Sequence, residues 1–189
     1  MKKISLFALV TLVSAIASAE TWSGDPVHSR LGFGITHMTI TEINGNFKAF
    51  KATVTTTSDD FADASVELSA EISSINTDNE QRDTHLKNAD FFDAEKFPTL
   101  TFKSTTFKKV GDKKFKIMGN LTMHGVTKPV EMEAVLNGTA TNPMSKKLTA
   151  GFHVTGIVKR SDFGIGPKFP EPMLGDAVKL IINLELPKN

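Results

Sequence analysis

The chain has 189 residues, with 22 Lys+Arg against 21 Asp+Glu and a formal net charge of +1. That balance argues against a general nucleic-acid-binding surface, which needs concentrated positive charge. Cysteine is absent, which excludes disulfides, thiolate metal sites, cysteine nucleophiles and thioether lipid anchors.

Residues 1–19 read as a secretory signal peptide. Lys2 and Lys3 supply a positive start, Ile4 to Val13 an apolar run, and Ala17-Ser18-Ala19 a small-x-small cleavage site. The apolar run is too short to cross a bilayer, which takes about 20 residues, and no later stretch is long and apolar enough to anchor the chain. Cleavage after Ala19 leaves one domain, residues 20–189. The loss of Lys2 and Lys3 takes the charge from +1 to −1.

The remainder alternates with a period of two, which marks strands with one dry face. Eight runs follow in order. Val27, Leu31, Phe33 and Ile35 share a face, which His37 continues. The second run spans Phe47 to Val54, and a bend is expected because Phe47 and Phe50 otherwise fall on opposite faces. Val66, Leu68, Ala70 and Ile72 alternate with polar residues in the third. Leu100 and Phe102 open the fourth. Phe115, Ile117, Leu121 and Met123 form the fifth, Val130 to Leu136 the sixth, and Leu148, Ala150, Phe152 and Val154 the seventh. Val178 to Leu186 closes the series.

Turn signals at 43–46, 58–60, 111–112 and 142–143, with a short connection near His124-Gly125, imply antiparallel neighbours. The expected fold is all-β: an eight-stranded antiparallel up-and-down barrel, closed so that no edge is left unpaired. One surface helix is expected near residues 78–89. Thr77 and Glu80 would form its capping box, and Asp78–Arg82 and Asp83–Lys87 its i,i+4 pairs. Leu86 and Ala89 are its only apolar stripe, so it should lie on the surface, across one end of the barrel. The glycine- and proline-rich stretch from Arg160 to Asp176 should be an irregular loop bordering an opening. A transmembrane barrel would carry girdles rich in Tyr and Trp, whereas this chain has no Tyr and only Trp22. The apolar face is therefore placed inside, where such a barrel is either filled by side chains or holds one small ligand.

Catalytic patterns are missing. The five histidines show no zinc spacing, and no Gly-x-Ser-x-Gly elbow is present. Asp162-Phe163-Gly164 stands without the other parts of a kinase. No catalytic residue, metal or cofactor is assigned. His37, in phase with the first strand, reads either as a core histidine bonded to a neighbouring strand or as a ligand contact. Arg82 reads either as part of a surface ion-pair lattice or as a contact for a polar head.

Several stretches together resemble the YceI-like, polyisoprenoid-binding family of exported bacterial proteins. They include Asp25-Pro26-Val27-His28-Ser29, Phe33-Gly34-Ile35-Thr36-His37-Met38, Ile75 to Leu86, Asp90-Phe91-Phe92-Asp93, Phe97 to Ser104, Gly119 to Val130 and Arg160-Ser161-Asp162-Phe163-Gly164. The resemblance implies a lipocalin-like barrel with a helix and a deep apolar tunnel. It also implies a periplasmic location and a long-chain amphiphile as ligand: a polyisoprenoid, an isoprenoid quinone or a fatty-acid derivative. The residues expected to line the tunnel are Leu31, Phe33, Ile35, His37, Leu68, Ile72, Arg82, Leu100, Phe102, Ile117, Leu121, Phe152 and Phe163. Carriage, storage or a stress response is the expected role. The alternatives are an enzyme acting on a bound lipid, with His37 or Arg82 taking part, and a ligand-free barrel used as an interaction module. No nucleic acid is expected as a partner, and a homodimer is left open.

Overall fold

A computed structural model describes residues 18–189. The expected signal peptide, apart from Ser18 and Ala19, therefore lies outside the described residues. Eleven strands form one antiparallel sheet. They are β1 (Glu20–Ser23), β2 (Arg30–His37), β3 (Thr41–Phe47), β4 (Phe50–Thr56), β5 (Ser65–Glu71), β6 (Ile75–Asn76), β7 (Thr99–Gly111), β8 (Lys114–Met123), β9 (Val126–Thr141), β10 (Leu148–Lys159) and β11 (Leu174–Pro187). Among the described residues, one helix, α1 (Glu80–Lys87), and two 3-10 turns, Ile72–Ser74 and Arg160–Phe163, accompany the sheet.

The strand count is eleven rather than eight, for two reasons. β1 adds a short strand beside β4, and two of the eight long staves are broken. β3 and β4 are separated by Lys48 and Ala49 alone, and β5 and β6 by the turn Ile72–Ser74. The two breaks face each other: Lys48 N donates to Ser74 O, and Glu71 N donates to Ala49 O. The bend expected between Phe47 and Phe50 is this break. It also curls the sheet round on itself, since β3 pairs with β2 and β4 with β5.

Alternation explains the walls. Along β8, Phe115, Ile117, Gly119, Leu121 and Met123 are buried while their neighbours are less so. Register shifts between Ser104 and Thr106 and between Gly151 and Phe152 add the local twist that lets long strands wrap. The β8–β9 turn, His124-Gly125, has φ of 52° and 74°, as a two-residue primed hairpin requires.

One expected turn is a strand. Residues 43–46 lie within β3, and the β2–β3 turn sits instead at Met38–Ile40. Asn44-Gly45 looks like a turn signal, but Gly45 is needed for close approach. A Cβ there would lie 2.4 Å from Phe33 Cζ.

The helix is also shorter than residues 78–89. Asn79 caps it, accepting from Arg82 N at 2.9 Å, and Asp78 is left-handed at φ 59°. Thr77 is not the cap: its hydroxyl donates to the buried Asp83 carboxylate at 2.5 Å, and its amide donates to the same oxygen at 2.8 Å. Asp83 and Arg82 are both engaged by Thr77, so neither expected i,i+4 ion pair forms among the described residues.

Up-and-down order puts α1, the Met38–Ile40 turn, the His124-Gly125 turn and the 160–173 connection at one end. The other end is packed shut. Phe61, 1% exposed, sits between Trp22 and Phe152 at 5.1 Å from each ring.

Candidate functional site

Inside the curled sheet is a cavity of about 400 Å³, within the roughly 300–1,000 Å³ span of small-molecule sites. Its wall is apolar because the inward phase of every stave is apolar. Leu31, Phe33 and Ile35 from β2, Leu68 from β5, Leu100 and Phe102 from β7, Ile117 and Leu121 from β8, and Phe152 from β10 all line it. Among the described residues, ionisable groups enter only at the helix end: His37, Arg82, His85 and Arg160. No carboxylate among the described residues lines the space.

Two expected lining residues lie elsewhere. Ile72 is 1% exposed in the 3-10 turn at the strand break, so the bend carries it off the inward phase of β5. Phe163 is also 1% exposed, in the turn after β10. Its carbonyl accepts from His124 Nδ1 at 2.9 Å, which fixes that ring with its proton on Nδ1. His37 borders the cavity but is exposed. Because it is the last residue of β2, it reaches the rim and is not a core histidine bonded across the sheet.

Arg82 is held in place by its own neighbourhood. Nε donates to Thr77 Oγ1 at 2.7 Å and Nη2 donates to Thr77 O at 2.6 Å. Nη1 has no partner among the described residues and remains available to an acceptor. Arg160 differs: all five of its N–H groups are spent on backbone carbonyls. Nε donates to Gly175 O, Nη1 to Ile165 and Gly166 O, and Nη2 to Phe169 and Leu174 O, at 2.5–3.0 Å. It is 7% exposed and shapes the 165–175 segment that walls the mouth. Across the mouth, Phe91 stacks on Phe169 at 4.9 Å, and His85 meets both rings edge-on.

Arg82 and a loop bordering an opening are expected from the sequence, but His85 and Leu86 of α1, Phe91 and Phe92 after it, and Ile165, Phe169 and Met173 of the 160–173 connection also line the cavity without having been singled out. The single signal for them was the composition of those segments, in which Phe91, Phe92, Ile165 and Phe169 are too apolar for a solvated loop. Elsewhere, Asp25, His28 and Glu185 converge at the opposite end. Asp25 Oδ2 lies 2.9 Å from His28 Nδ1. This contact raises the His28 pKa and lowers that of Asp25, as expected of an ordinary ion pair near the surface.

The geometry defines a class: a curled all-β barrel with one packed end, a helix across the other, and an apolar cavity whose polar groups cluster at the helix end. Residues 22–186 match the YceI-like domain family, and the chain belongs to that family. It is 38% identical over 181 residues to Protein YceI of Salmonella newport (strain SL254), covering 94% of this chain and 91% of that one. The Campylobacter jejuni YCEI protein superposes with TM-score 0.74 at 33% identity, over 82% of this chain and 90% of that one. A polyisoprenoid binding domain from Saccharophagus degradans superposes with TM-score 0.65 at 14% identity, over 89% and 98%.

Proposed function

We propose that the protein is an exported, non-catalytic binder that holds one long-chain amphiphile for carriage or storage. A polyisoprenoid, an isoprenoid quinone or a fatty-acid derivative would suit the site. The observation that carries this reading is the cavity itself, apolar along its length with its ionisable groups at one end. A chain inside gains about 0.8 kcal/mol per buried CH₂ in gross transfer terms. A neutral hydrogen bond to a head nets only about 1 kcal/mol. Chain length therefore sets affinity, and the head, met by Arg82 and His37, sets orientation. The polyisoprenoid-binding name of the Saccharophagus relative agrees with such a ligand. The Lys2-Lys3 start, apolar run and Ala17-Ser18-Ala19 site support export.

Phe102→Asp tests the reading. Phe102 is 6% exposed and lines the cavity, so a carboxylate there would oppose an apolar chain. A folded Phe102→Asp variant should lose co-purifying lipid. Undiminished lipid in that variant would overturn the reading.

A further inference from the structure

We propose that the helix end of the barrel seats on a lipid bilayer, with Met38, Ile40 and Met173 as its apolar contact. This rests on the reading of the cavity as a site for an amphiphile. The three side chains are 54%, 78% and 50% exposed. Two of the residues are tied into one platform, since Met38 N donates to Met173 O at 2.9 Å. Met38 and Thr39 are both left-handed, at φ 49° and 59°, a turn whose usual occupants are Asn and Gly. A large apolar residue at such a tip is disfavoured locally and gains only if something apolar covers it.

What covers it follows from the neighbouring surface. Met173 also lines the cavity, as do the adjoining His37 and Leu174. Met173 and Leu174 therefore link the outside of the rim to an interior that has no carboxylate among its described lining residues. That is the path a chain needs to leave a bilayer without crossing water. A second copy of the chain is a poor occupant. Three side chains on two loop tips fall well short of the roughly 800 Å² per partner that a stable dimer buries. Exposure alone does not mark the site. Met144 is 91% exposed but sits on the β9–β10 turn at the opposite end and does not line the cavity.

Flotation with phosphatidylcholine vesicles, paired with uptake of a fluorescent long-chain fatty acid from those vesicles, tests the proposal. Neither Met38 nor Ile40 lines the cavity. The double variant Met38→Ser/Ile40→Ser should therefore bind the same fatty acid, dispersed in buffer, as the parent does. It should lose vesicle association by at least about tenfold, and its uptake from vesicles should slow in step. Met144→Ser should match the parent in both assays. The parent's uptake rate should rise with vesicle concentration, as transfer by collision requires. The proposal is overturned if the double variant floats and takes up lipid like the parent, or if the parent does not float and its uptake rate ignores vesicle concentration. If neither protein binds the dispersed fatty acid, the reading of the cavity fails, while flotation still decides the rim.

Discussion

Replacing Arg160 by Met keeps most of the aliphatic stem and deletes five donors. Those donors hold the carbonyls of Ile165, Gly166, Phe169, Leu174 and Gly175, so a whole segment of the cavity mouth is gathered on one guanidinium. Hydrogen bonds to a charged donor contribute about 1.5–3 kcal/mol each. Five would sum to about 7–15 kcal/mol if every carbonyl stayed buried and unpaired. They will not, because the 165–173 connection can swing out and hydrate them. The loss is then set by the packing that goes with it, including the Phe91–Phe169 stack. Leaving one or two of these carbonyls buried and unpaired, at about 1–3 kcal/mol each, puts the cost at about 3–5 kcal/mol. For a chain of this length that lowers the melting temperature by about 6–20 °C. Thermal unfolding with amide hydrogen exchange reads both parts: Tm falls, and protection is lost selectively across residues 165–175. Arg160→Lys should not rescue, since an ammonium keeps the charge but lacks the planar five-donor fork. A Met variant within about 2 °C of the parent, with exchange in that segment unchanged, would refute the reasoning.

The other predictions concern the rim and the packed end. His37→Leu, at the exposed end of β2, should weaken binding of a lipid bearing a polar head while leaving a plain hydrocarbon of equal length unaffected; paired titrations of the two ligands decide it. Asp63 accepts from the hydroxyls of Thr56 and Thr57, which hold its carboxyl well below the usual carboxylate range. Lys109 first, and then Ser58, lower Asp60 to about 2. Both carboxylates are depressed in the folded state, so their stabilisation is present above about pH 4 and is lost as pH falls through the folded values. Asp63→Asn should flatten the fall of Tm between pH 4 and 2 and loosen the turn that seats Phe61. A pH profile identical to the parent's would contradict this.

Much of the wall was legible because a barrel stave makes period two visible. Phe33, Leu68, Phe102, Ile117 and Phe152 line the cavity in the phase that the alternation assigned them. Strand breaks were less visible. Ile72 kept the alternating phase in sequence, yet a 3-10 turn removes it from the wall, because a two-residue slip in one stave is matched by a bend in its neighbour. Asn44-Gly45 gave a false turn, since the same glycine serves a tight turn and close packing under an aromatic ring. The mouth is legible only as a loop bordering an opening. Nothing local to Arg160 shows that its guanidinium is buried, because its five partners become neighbours only after the 165–175 segment folds back over it. The role of Thr77 was mistaken because a hydroxyl before a helix can cap it, whereas here Asp83 captures it first.

Native mass spectrometry of the protein purified from its own host tests directly whether the cavity holds one amphiphile. The predicted result is a chain beginning at Glu20 that carries a single added mass. Organic solvent should release that mass as one unaltered long-chain amphiphile, in about equal amount to the protein. A bare chain mass, together with an extract empty of long-chain lipid, would contradict the account.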